Sequence, residues 1–200
     1  MSIIAISQRV VVDPRFGERR DCLDQTWIKF MMICGLTPMQ VPNEEETARS
    51  LCNGLPLSGI LLTGGNDLLA YGGDAPERDS TENMLLEIAE ERTLPVLGVC
   101  RGMQMIQHRL GIRLERVAGH VTAHQIVSIE GKPEAVNSYH NFGATETRPP
   151  LEAWAIADDG VVKAVRHTDG RMAGIMWHPE RLSPFAPRDI SFFQNFFGSH

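Results

Sequence analysis

No apolar run in the 200-residue sequence approaches the roughly 20 residues a membrane-spanning helix needs, so no membrane role is expected. The N-terminus, MSIIAISQRVVVD, is apolar for only a few residues and lacks a cleavage pattern, so no signal peptide is expected. Basic residues are in deficit. Lys and Arg number 19 against 25 Asp and Glu, for a formal net charge of −6 and a pI near 5.6. That balance argues against a nucleic-acid partner, which calls for a basic patch. It leaves room for a nucleotide-bearing small molecule held by a few arginines. Cysteine is sparse too. Cys22, Cys34, Cys52 and Cys100 form no CxxC pair, so they are expected to be reduced thiols of a cytoplasmic protein. Cys22, Cys34 and Cys52 lie among apolar residues and are expected to be buried as small hydrophobes. Neither GxxxxGK[ST] nor GxGxxG occurs, which disfavours a phosphate loop. Repeats, low-complexity tracts and linkers are absent, so residues 1–200 are expected to form one domain.

What is present reads as an ordinary globular chain, 42% hydrophobic and 22% charged. IIAIS (3–7), PMQVPN (38–43), LSGILLTGG (57–65) and LPVLGVC (94–100) read as strands. Between them, 18–35, 44–54, 80–92 and 101–111 read as helices, with Ser80 a candidate N-cap and Gly35 and Gly111 stops. This alternation predicts a parallel sheet covered on both faces. The second half changes to short strand-like runs separated by EGKP, DDG and TDG turns, and 188–198 closes the chain as an amphipathic helix.

In an open parallel sheet, active groups gather at the carboxyl ends of the strands. TGGND (63–67), GVCRG (98–102) and WHPE (177–180) are placed there. GVCRG has the form of a nucleophile elbow, with Cys100 between Gly98 and Gly102 where a strand meets a helix. A helix N-terminus favours an anion and so a thiolate. The same residues also fit a packing cysteine in a tight turn. His178 is the candidate base. Glu180, two residues on, would point the same way in a strand and hold the imidazole in one tautomer. The bland alternative is a surface histidine in a turn. Gly65, in the Gly64–Gly65 pair, and the N–H of Arg101 are candidate oxyanion donors, although the glycines also suit a simple turn. His120 and His124 stand at a metal-ligand spacing, but Gly119, Val121 and Thr122 make poor helix and no acidic ligand lies close by, so no metal is expected. Ser138, Tyr139 and His140 follow a short strand and read equally as substrate contacts or as hydrogen-bonded structural residues.

The set LLTGGND, GVCRGMQ, NSYHN and WHPE, in this order and spacing, resembles class I glutamine amidotransferase domains over nearly the whole chain. More narrowly it is similar to their γ-glutamyl hydrolase-like branch. The resemblance implies a flavodoxin-like three-layer α/β sandwich with a central, mostly parallel sheet. It implies Cys100 as nucleophile, His178 as general acid/base, Glu180 as its orienting partner, and Gly65 and Arg101 as oxyanion donors. Gln104, Ser138, Tyr139 and His140 would lie along the γ-glutamyl portion of a small-molecule substrate, with Asn66 and Arg9 as further contacts. No cofactor is implied. Arg101 stands where glutaminase subunits that feed a synthase usually carry Leu, which favours a stand-alone hydrolase. The chain is short for that branch, and its opening and its GGNDLLAYGGDAPERD loop resemble compact proteins of bacterial surface-polysaccharide pathways. One activity there is hydrolysis of γ-glutamyl-CDP-amidate, a nucleotide-linked substrate, in which Arg9, Arg15, Arg19 and Arg20 would meet the pyrophosphate. The plain alternative for these arginines is a solvated charged surface.

The implied reaction is attack of the Cys100 thiolate on the γ-carbonyl, release of the amine through His178, and hydrolysis of a γ-glutamyl thioester. Two other readings stay open. One is a glutaminase subunit delivering ammonia to a synthase partner. The other is a non-hydrolytic thiol sensor or binding protein of related fold.

Overall fold

The computed structural model describes residues 2–198. In chain order its strands and helices begin with β1 (Ser2–Ile6), β2 (Arg9–Val12), β3 (Arg19–Cys22), α1 (Gln25–Ile33), β4 (Leu36–Gln40), α2 (Glu45–Gly54) and β5 (Leu57–Leu62). Next come α3 (Pro76–Arg92), β6 (Val96–Val99), α4 (Arg101–Arg109), β7 (Glu115–Arg116), β8 (Val121–Ile129) and β9 (Lys132–Tyr139). The last are β10 (Phe142–Gly143), β11 (Leu151–Ala157), β12 (Val162–His167), β13 (Met172–Ile175) and α5 (Pro187–Gly198). They fall into two compact units: Met1–Val96 with Pro179–His200, and Leu97–His178.

The first unit carries the parallel strands, ordered β4-β1-β5. Ile4, Ile6, Ile60 and Leu61 are fully buried, as expected of parallel strands covered on both faces. Its helical packing is aromatic: Phe30 of α1 meets Phe193 of α5 edge-on at 4.8 Å and Phe185 at 5.3 Å. Gly59 of β5 is required by close approach, because a Cβ there would lie 2.6 Å from the Phe197 ring. Cys34 and Cys52 are buried as expected, and burial pushes the Cys34 thiol up to about 12. Cys22 is only half-buried.

Three expected boundaries shift here. Residues 18–35 are not one helix. β2 and β3 form an antiparallel hairpin, and α1 begins only after Asp24, whose carboxylate accepts from the Thr26 N–H. The next strand runs over Leu36–Gln40 rather than 38–43. Helix α3 starts at Pro76, so Ser80 lies within its second turn and is not its cap. Proline suits a first helical position because the N–H it lacks has no partner there.

The second unit has the strand order β6-β13-β12-β11-β8-β9, with antiparallel pairing from β13 through to β9. The β8–β9 hairpin turns at Glu130–Gly131, both with positive φ (47° and 82°), in line with the EGKP turn signal. β7 and β10 form a small separate ladder. Helix α4 packs on β13, where a Cβ on Gly174 would lie 2.6 Å from Met103 Cγ. Among the described residues, no helix is long and apolar enough to cross a membrane.

Candidate active site

Cys100 occupies the junction of β6 and α4 with φ 54° and ψ −106°, a conformation that L-residues rarely adopt. Its N–H donates to the Ile175 carbonyl at 2.7 Å, and its own carbonyl accepts from Gln104 N at 3.1 Å. The elbow depends on the flanking glycines. A Cβ on Gly98 would lie 2.4 Å from the Gly102 carbonyl carbon and 2.5 Å from Met103 N, both backbone atoms. Strand and helix therefore approach more closely than any side chain at Gly98 allows. The first N–H groups of α4, beginning with Arg101, have no acceptor within the helix. The positive end of the helix dipole lies there too.

His178 lies beyond β13, which ends at Ile175. His178 and Glu180 therefore do not share a strand face as expected: Pro179 opens a 3-10 turn, Pro179–Arg181, that carries Glu180. Proline has no N–H for a ladder, so the strand stops short of it. What fixes His178 is Asn137. The Asn137 amide accepts from the His178 N–H at 2.7 Å and donates to the His178 carbonyl at 2.8 Å. The next residue but one, Tyr139, places its ring centroid 5.8 Å from the His178 ring, and its carbonyl lies 4.0 Å from Cys100 Sγ. Tyr139 thus borders both proposed reacting groups. Cys100 and His178 are both buried. Gln104, one turn into α4, donates to the Phe142 carbonyl at 2.8 Å.

Ser138 and His140 face the other way, into a polar network whose Ser138, His120, His140 and Lys163 members are buried. At its centre is Lys163 of β12, with 0% exposure. Its ammonium lies 2.8 Å from Ser138 Oγ, 2.7 Å from His140 Nε2 and 3.2 Å from His120 Nδ1. His140 Nδ1 is 2.8 Å from the Phe142 carbonyl, which only accepts, so the proton sits on Nδ1 and Nε2 accepts from Lys163. Burial and the neighbouring Lys163 push His140 down to about 3, which keeps it neutral. His120 reaches the Asp159 carboxylate with Nε2 at 2.9 Å and stacks on His140 with ring centroids 4.9 Å apart. His120 is thus a member of this network, and among the described residues no group of His, Cys, Asp and Glu is arranged to hold a metal.

In the first unit, the TGGND loop is shaped by a residue the sequence reading passed over. Arg78 of α3 is fully buried, pairs with Glu82 at 3.0 Å, and donates to the carbonyls of Thr63, Gly64 and Gly65. In a trans peptide the C=O and the following N–H point in opposite directions. With the Gly64 carbonyl turned to Arg78, the Gly65 N–H faces away from it. Asn66, at φ 54°, spends its amide on the Val10 backbone, accepting from N and donating to O at 2.9 Å each. Arg9 lies over Gly65, where a Cβ would be 3.2 Å from its side chain. The other arginines considered for phosphate are held by acids. Arg15 pairs with Asp13, Arg20 with Glu18 and Asp13, and Arg19 with Glu77. Glu180 is buried beside Arg181, with 3.5 Å between Oε1 and Nε.

The model of one protein family, Peptidase C26, matches residues 2–130 and 119–180. The chain belongs to the peptidase C26 family. It is accordingly a hydrolase of the glutamine amidotransferase-like type. The chain is 32% identical over 183 residues to the γ-glutamyl-CDP-amidate hydrolase of Campylobacter jejuni, covering 89% of this chain and 90% of that protein. It is 27% identical over 204 residues to the γ-glutamyl-γ-aminobutyrate hydrolase PuuD of Escherichia coli K12, covering 82% and 80%. Among solved structures, the glutaminase domain of Trypanosoma brucei CTPS, with bound acivicin, superposes with a TM-score of 0.71 at 15% identity over 100% of this chain and 94% of that one. That likeness carries the fold alone, and it bears out the expected α/β architecture of a C26 domain. The residues missed in the sequence are Asn137, Lys163 and Arg78. Lys163 had a legible signal, a single charge inside the apolar run VVKAV.

Proposed function

We propose that this C26 protein hydrolyses a γ-glutamyl amide bond, with Cys100 as nucleophile and His178 as general acid/base. The observation that carries the reading is the Cys100 elbow. A strained backbone conformation persists only where its surroundings over-determine it, and it characteristically marks a reacting residue. The Cys100 thiolate attacks the γ-carbonyl, and the Arg101 N–H at the start of α4 receives the developing oxyanion. His178 protonates the leaving nitrogen, then activates water against the γ-glutamyl thioester, and glutamate leaves. The role of Gly65 as second oxyanion donor comes from the sequence pattern. The role of Glu180 as partner of the imidazole comes from the sequence pattern alone. Gln104 and Tyr139 border the place of the γ-glutamyl group. Ser138 and His140 support that segment from behind.

The first candidate substrate is γ-glutamyl-CDP-amidate, because the Campylobacter relative that bears that activity in its name matches nine-tenths of both chains. Of the arginines considered for its pyrophosphate, Arg15, Arg19 and Arg20 are held in ion pairs, while among the described residues Arg9 shows no carboxylate partner. The test is glutamate release by purified protein from glutamine, γ-glutamyl-aminobutyrate and γ-glutamyl-CDP-amidate, with Cys100→Ala alongside. Fast release from a non-glutamine substrate, abolished in the variant, is the expected result. Slow release from glutamine alone would favour a glutaminase subunit working with a synthase. Release from none would favour a sensor or binding protein.

A further inference from the structure

Lys163 has no part in the hydrolysis as written, yet burying its charge is costly. An ammonium far from water must satisfy all three protons. Here Ser138 Oγ and His140 Nε2 accept at 2.8 and 2.7 Å, and His120 Nδ1, which Gln125 Nε2 also approaches at 3.0 Å, lies at 3.2 Å. His140 is held as a neutral acceptor by the Phe142 carbonyl on its far nitrogen. His120 faces Asp159 with its other nitrogen. The second unit thus builds a dedicated socket for one buried positive charge.

The socket lies beside the elbow. Met176 N–H donates to the Lys163 carbonyl at 2.8 Å, and Cys100 N–H donates to the Ile175 carbonyl at 2.7 Å. Consecutive residues at the end of β13 therefore bind Lys163 and Cys100. Two strand spacings, about 10 Å, separate their backbones. Ser138, which receives the ammonium, precedes Tyr139, whose carbonyl meets Cys100 Sγ. Lys163 contacts Ser138 and His140 from β9 and its end and His120 from the turn before β8, while Asp159 from the β11–β12 turn and Cys100 just ahead of α4 act on it electrostatically. His178 in turn acts on His140 electrostatically. The only anions in that set are Asp159 and the Cys100 thiolate.

We propose that Lys163 is a positioning residue whose buried charge favours the thiolate of Cys100 and braces the Ser138–His140 segment against it. Burial pushes Lys163 down to about 8, while Cys100 and Asp159 pull the other way, so the ammonium persists at neutral pH. The inference rests on the hydrolase reading only in taking Cys100 as the nucleophile. Its test needs no turnover.

The experiment is the pH dependence of Cys100 alkylation by iodoacetamide, followed on the Cys100 peptide by mass spectrometry. It compares wild type with Lys163→Met, which keeps bulk, and Lys163→Gln, which keeps a donor without charge. Folding is checked by thermal melts. The wild-type midpoint is expected below the ordinary thiol value of about 8.5. In both variants it should rise by about one unit or more, as loss of a nearby opposite charge requires. A folded variant with an unchanged midpoint overturns the proposal. So does a wild-type midpoint at or above the ordinary value, even if neither variant folds. Hydrolysis with an unmoved alkylation profile would sink the role of Lys163 and leave the hydrolase standing. A shifted profile in a protein that cleaves no γ-glutamyl compound would do the reverse.

Discussion

Gly98→Ala is the sharpest test of the elbow. The added Cβ meets only backbone: the Gly102 carbonyl carbon at 2.4 Å, its oxygen at 2.5 Å and Met103 N at 2.5 Å. No side-chain rotation relieves such a clash, so α4 must move away from β6, by about 1 Å to restore ordinary contact distances near 3.5 Å. Overpacking of this kind costs about 3 kcal/mol. For a chain of this size that is a fall in Tm of about 6–12 °C. The same displacement moves Cys100 and the first N–H groups of α4 together, and 1 Å of misplacement costs about 100-fold in rate. The assay pairs glutamate release with a thermal melt. Gly160→Ala is the control: its φ is +86° and nothing lies within 4 Å of the added Cβ. It should lose about 1–2 kcal/mol through the backbone alone and keep its rate. A Gly98→Ala protein matching wild type in both rate and melting would refute the elbow argument.

Other outcomes follow from single contacts. Cys100→Gly and Cys100→Ala should both abolish hydrolysis, yet the glycine variant should melt higher, by about 1–2 kcal/mol, because it relieves the positive φ. Asn137→Ala removes both bonds to the His178 backbone and should cost about 2–4 kcal/mol, with a larger loss in kcat than in KM. Arg78→Met leaves Glu82 buried without its ion-pair partner and should cost about 3–5 kcal/mol by denaturant titration. The pH dependence has a definite sign. His140 titrates at about 3 in the fold and near 6.5 unfolded, so its neutral form contributes stability above pH 6.5 that is lost as pH falls toward 3. Stability should drop by about 1.4 kcal/mol for each pH unit in that window, and His140→Gln should flatten the slope.

The elbow around Cys100 was legible in the residues because its close backbone packing forces local sequence. Close approach of β6 to α4 demands glycine at 98, and the same crowding places a lone Cys100 where a strand gives way to a helix. The parallel strands showed as apolar runs because both their faces are covered. Elsewhere competing signals misled. Cys22, Leu23 and Trp27 fit a helical period, but the DPRFG turn between β2 and β3 puts Arg19–Cys22 in a hairpin and leaves the helix to begin at Gln25. Pro76 marked the start of α3 more truly than Ser80. The 3-10 turn at Pro179 removed the basis for putting His178 and Glu180 on one strand face. Asn137, Arg78 and Lys163 were hidden for another reason. Each acts on residues 41, 15 and 25 positions away, and such partners emerge only from the fold.

The account turns on a covalent γ-glutamyl group at Cys100. Wild-type protein mixed with the best γ-glutamyl substrate, acid-quenched within a turnover and digested, should show that group on the Cys100 peptide. Cys100→Ala should show neither adduct nor glutamate. Undiminished glutamate release by Cys100→Ala, with no adduct on the wild-type peptide, would contradict the account.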